Sequence, residues 1–102
     1  MSDNNYGLKS EDLPIIKAVL ANFDSIEKAM IFGSRATENY KPGSDVDIAI
    51  FTKDKSNVSK ISFLLNEDTL LPYHFDVIDF YSLTHHNLIE QINKTGKIIY
   101  SK

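Results

Sequence analysis

The stretch that most constrains this chain is IFGSRATENYKPGSDVDIAIF, Ile31 to Phe51. Two apolar runs, Ala29 to Phe32 and Val46 to Phe51, bracket a polar segment from Gly33 to Gly43 in which Pro42-Gly43 signals a turn. Both short apolar runs read as buried strands, the second rich in β-branched residues. Yet Asp45 and Asp47 stand at the entrance to the second run. Side chains two apart on a strand project to the same side, so these carboxylates lie together and repel unless a cation sits between them.

The rest of the chain alternates helical and extended patterns. Residues 1–9 read as a loose arm. Ser10 is placed to cap a helix with Glu11 and Asp12 in its first turn, where the helix dipole favours acids, and Pro14 is tolerated near that turn. Ile16, Val19, Leu20 and Phe23 then recur at helical spacing, and Asp24-Ser25 ends the element. A second helix is expected from Ser56 to about Glu67, with Val58, Ile61, Leu64 and Leu65 on its apolar face. Leu70 to Tyr73 reads as a loop and Phe75 to Phe80 as a third strand. Ser82 or Thr84 is expected to cap a last helix whose Leu88, Ile89 and Ile92 face inward, with Gly96 as its C-terminal cap. Ile98 to Tyr100 adds a short strand or packs as a tail. Helices alternating with strands predict an α/β fold, a sheet with helices packed on it, in a single domain over 1–102.

Composition narrows the function classes. The 102 residues carry a net charge of −3, which argues against a large nucleic-acid interface, since such surfaces are usually basic. A single nucleotide carried by a divalent metal stays open, because the metal supplies positive charge. Cysteine is absent, which excludes disulfides and thiolate metal sites and suits a reducing, cytoplasmic setting. No apolar run reaches the roughly 18 residues of a membrane span, and the polar N-terminus resembles no targeting peptide.

A third acid, Asp76, lies inside the Phe75–Phe80 run, on the opposite strand face from Phe75 and Val77. If that strand neighbours the one carrying Asp45 and Asp47, the three form a carboxylate triad. All-oxygen ligands suit a hard ion such as Mg²⁺, and three acids can hold two such ions across a phosphoryl or nucleotidyl transfer. Gly33-Ser34 supplies the complementary half: a strand ending in Gly-Ser and turning into a short helix exposes N–H groups and a hydroxyl to phosphate. Arg35 adds a fork of donors for a phosphate oxygen. Each feature alone has a bland reading, an ordinary turn or a solvated pair of acids; their combination at this spacing is what carries the assignment. His74, His85 and His86 lack metal-ligand spacing, and Asp79 reads as structural or solvated.

Gly33-Ser34, a ten-residue spacer and Asp45-x-Asp47 before an apolar strand resemble the signature of the DNA polymerase β-like nucleotidyltransferases. Gly-Ser-Arg-Ala, Ser-Asp-Val-Asp-Ile, HFDVIDFYSL and TGKIIY are similar to the smallest branch, the minimal nucleotidyltransferases. The resemblance implies a small mixed sheet flanked by helices, the palm without additional domains. It also implies Gly33 and Ser34 at the triphosphate of ATP, Asp45 and Asp47 on the metals, and Asp76 as third carboxylate. Members of that branch often act as antitoxin to a HEPN-domain ribonuclease, transferring AMP from ATP to a tyrosine of the toxin. The chain departs from the family at Glu38, where glycine is common, and so brings a negative charge near the phosphates. Transfer of AMP to a protein partner is the expectation, with a homo-oligomer compatible. The alternative is a non-catalytic binding antitoxin, or nucleotide-binding subunit, with a decayed site. Transfer to a small molecule would need a substrate domain for which this length leaves no room.

Overall fold

In the computed structural model, residues 6–41 and 43–102 are described. Helix α1 (Asp12–Leu20) leads into strands β1 (Ile26–Phe32) and β2 (Val46–Thr52). Helix α2 (Ser56–Phe63) continues as a π-helical turn, Leu64–Asp68, before β3 (Phe75–Asp79). A short 3₁₀ turn, Phe80–Ser82, precedes helix α3 (His86–Thr95) and strand β4 (Lys97–Ser101). The strands form one mixed sheet in the order β3-β2-β1-β4. β1 is antiparallel to both β2 and β4, and β2 is parallel to β3.

The two central strands are buried on both faces, which explains their near-continuous apolar sequence. Ala29, Ile31, Val46, Ile48 and Ile50 face one core with Ile16 and Leu20 of α1 and Ile61 of α2. The alternate residues Met30, Phe32, Ala49 and Phe51 face a smaller core closed by Ile92 of α3. Helices therefore cover both sides of the sheet. A polar cluster closes the opposite end: Asn57 donates to Ser25 Oγ at 2.5 Å, and Ser25 shares a hydrogen bond with Thr52 at 3.1 Å.

Several local expectations are corrected. Ser10 does not cap α1; its hydroxyl bonds Glu11, while the carboxylate of buried Asp12 accepts Lys9 N–H at 3.0 Å. Of the expected arm, residues 1–5 lie outside the described residues, and Leu8 is buried in the main core. Neither Ser82 nor Thr84 caps α3: His85 does, its Nδ1 accepting Leu88 N–H at 3.3 Å. Ser82 Oγ instead donates to Asp79 at 2.6 Å, and Asp79 also accepts Tyr81 N–H at 3.2 Å at the start of the 3₁₀ turn. Gly96 does follow α3, but its φ of −66° is open to any residue. Its reason is space, since a Cβ there would lie 2.5 Å from the Ile92 carbonyl oxygen.

Candidate active site

Asp47 and Asp76 stand side by side at one end of the sheet because β2 and β3 are parallel neighbours in register. Asp47 stands directly beside Asp76, as Val46 does beside Phe75. Both acids share the face of Ala49, Phe51 and Ile78, beyond the ground covered by α3. Asp45 precedes β2 and is solvent-exposed, its carboxylate 3.5 Å from His74 Nδ1. On the other side of Asp47, β1 ends in register at Phe32, and the chain turns at once through Gly33. Gly33 adopts φ +78°, and a Cβ there would come within 2.5 Å of Asp47 Oδ2. Glycine is therefore required on two counts, left-handed backbone and a carboxylate packed against it.

Electrostatics agree with the geometry. The Asp47 carboxyl is pushed above its ordinary value, chiefly by desolvation and then by the neighbouring charges of Asp76 and Asp45; Arg35 and His74 oppose this. Negative charge therefore predominates around Asp47, only partly offset by Arg35 and His74. Among the described residues, no three acid, histidine or cysteine side chains already converge as a ligand shell. The donor set nevertheless fits a hard divalent ion: oxygen ligands, mutual repulsion and an open face.

The segment after Gly33 departs from expectation in two ways. It forms a tight turn rather than a short helix, with Thr37 N–H bonded to Gly33 C=O at 3.3 Å and Asn39 N–H to Ser34 C=O at 2.8 Å. Glu38 sits in that turn with φ +65°, the left-handed region that favours glycine. Arg35, expected at a phosphate, turns inward. It is 2% exposed, and its guanidinium donates to two main-chain carbonyls. The sequence pattern of a Gly-Ser turn followed by arginine suits either role; only the fold reveals that the side chain turns inward.

Sequence reasoning missed Asn66. It lies in the π-helical turn, where its Nδ2 donates to Phe75 C=O at 2.9 Å and its Oδ1 accepts Phe75 N–H at 2.8 Å. The side chain thereby mimics a further strand beside β3, one residue before Asp76. An Asn near the end of an amphipathic helix gives no such signal in sequence.

A mixed four-stranded sheet with acids in register on adjoining parallel strands, next to a glycine turn, defines an α/β domain with an acidic site at the end of its sheet. The chain belongs to the family described as Polymerase beta, Nucleotidyltransferase, whose profile matches residues 15–102. No protein of curated function matches it in sequence. Among solved structures, it is similar to a toxin–antitoxin crystallised with AMP-PNP, at TM-score 0.71 and 24% identity, over 92% of this chain and 75% of that one. A toxin–antitoxin named MntA-HepT aligns at TM-score 0.67 and 20% identity, over 92% and 74%. A third, a tri-AMPylated Shewanella oneidensis HEPN toxin with its MNT antitoxin, aligns at TM-score 0.55 and 22% identity, over 87% and 68%. At these identities the likeness establishes the fold, a small mixed sheet flanked by helices.

Proposed function

We propose that this protein transfers AMP from ATP to a hydroxyl of a partner protein, a tyrosine of a HEPN-type toxin, and so acts as its antitoxin. The observation that carries the reading is the Asp47–Asp76 register beside Gly33. Family membership supports nucleotidyl transfer, and the names of the similar structures support the choice of nucleotide and partner.

Asp45 and Asp47, with Asp76, would hold divalent metal, two Mg²⁺ ions in the fullest form. When bound, such ions neutralise triphosphate charge and the charge that develops in transfer. Gly33 and Ser34 would present N–H groups and a hydroxyl to the phosphates. Asp76 sits on the edge strand and is exposed, so it would accept the proton of the incoming hydroxyl while pyrophosphate leaves. The acceptor would dock as a separate folded protein, a reading supported by the toxin–antitoxin names of the similar structures. Among the described residues no helix is long and apolar enough to cross a membrane, and ATP-dependent chemistry in a cysteine-free chain suits the cytoplasm.

A second reading, neutralisation by contact alone, is favoured by one observation: exposed Glu38 puts strain and negative charge into the turn beside the site. Co-expression with a HEPN partner, followed by mass spectrometry, separates the two. Transfer predicts AMP on a partner tyrosine, lost in the Asp45→Asn/Asp47→Asn protein. An unmodified partner held in an equally protective complex by both proteins would favour contact alone.

A further inference from the structure

Asp45 is exposed, and among the described residues its carboxylate has only the 3.5 Å contact with His74 to hold it, so its placement depends on its backbone. That backbone is held from both sides. Downstream, Val46 N–H bonds His74 C=O at 2.9 Å. Upstream, the Ser44 carbonyl, which belongs to the peptide group joining Ser44 to Asp45, accepts both Nε and Nη2 of Arg35, at 3.2 and 2.7 Å.

Arg35 is itself rigidly held. Nη1 donates to Tyr6 C=O at 3.0 Å, and the guanidinium lies 5.5 Å from the Tyr40 ring and 5.1 Å from the Tyr73 ring. The Tyr73 hydroxyl in turn donates to buried Asp12 at 2.6 Å. Among the described residues no carboxylate forms an ion pair with Arg35. A buried guanidinium satisfied only by carbonyls and rings is an unusual choice for mere packing, because it forgoes the partner that best offsets its desolvation. Its planar fork does what a lysine cannot, gripping one carbonyl with two donors in fixed geometry.

We infer that Arg35 is a positioning residue: braced by Tyr73 and Asp12, it pins the Ser44–Asp45 backbone and so aims the Asp45 carboxylate. This rests on the metal-site reading above, but its structural half can be tested without metal. Arg35→Lys keeps the charge and loses the two-pronged grip; Tyr73→Leu removes the brace and serves if the lysine variant does not fold.

Two measurements decide the matter. In metal-free hydrogen exchange, peptides covering residues 43–46 should exchange several-fold faster in either variant than in wild type, while β1 peptides are unchanged. In Mn²⁺ titrations followed by electron paramagnetic resonance, Arg35→Lys should bind about 10-fold more weakly, the usual scale for losing a group that orients a ligand. The Arg35→Lys/Asp45→Asn double variant should bind within about twofold of Asp45→Asn alone, since the arginine acts through that carboxylate. Binding of ATP without metal should be unaffected. Unchanged exchange at residues 43–46, fully additive Mn²⁺ losses, or loss of metal-free ATP binding would each overturn the proposal. A wild-type protein that binds no Mn²⁺ would overturn the metal-site reading, leaving the exchange measurement to judge the pinning itself.

Discussion

Asp47 concentrates the conflict in the site, being desolvated, crowded by two acids and packed against Gly33. Its folded-state pKa is raised, so in metal-free protein its contribution favours folding at pH values below the ordinary carboxylate range and is lost as pH rises through the raised value. Asp47→Asn removes that penalty. The variant should melt higher than wild type in EDTA at neutral pH, and the gap should close as pH falls below about 4, where Asp47 is protonated in both folded and unfolded states. A variant that melts lower at neutral pH would show that Asp47 is stabilised rather than strained. Glu38 is the second residue under tension. Left-handed backbone costs a residue with a side chain about 1 kcal/mol, so Glu38→Gly should gain up to roughly that much in urea unfolding, and Glu38→Val should lose more. At this scale the sequence was informative about identity but not direction. The acids and Gly33 could be singled out from strand position, spacing and the family resemblance taken together. The inward turn of Arg35 could not, because it depends on Tyr73 and Asp12, which are distant in sequence.

At the scale of elements, β3 is an edge strand carrying Asp76, and its outer side at Phe75 is completed by Asn66. Replacing Asn66 with leucine strands the N–H and C=O of a buried residue, a cost of roughly 1–3 kcal/mol for an unsatisfied buried group. We expect Asn66→Leu to lose stability on that scale and to expose the start of β3 to hydrogen exchange; protection equal to wild type would deny the strand-mimic role. Gly96 should be equally intolerant for a different reason. Gly96→Ala forces a Cβ into the Ile92 carbonyl and Met30, so it should destabilise by about 1–3 kcal/mol despite an ordinary φ. The helices and central strands were legible because their apolar periodicity is strong. Their ends were not. The cap of α3 fell to a histidine, whose preference for that position is weak, and the π-helical turn after Phe63 still looks helical in its pattern of Leu64 and Leu65.

Across the whole molecule, the site exists because a crossover through α2 brings β3 parallel to β2, setting Asp76 against Asp47 from a distant part of the sequence. Sequence could pose that adjacency only as a condition; it is the pairing register that meets it. The central claim is that this sheet end moves AMP, and labelled ATP tests it most directly. The purified protein, Mg²⁺ and a HEPN-domain partner are incubated with ATP labelled at either the α- or the γ-phosphate. The account predicts that α-label becomes covalently attached to a partner tyrosine while γ-label leaves as pyrophosphate, and that Asp45→Asn/Asp47→Asn protein transfers neither. Attachment of γ-label, or α-label transfer undiminished in the double variant, would contradict it.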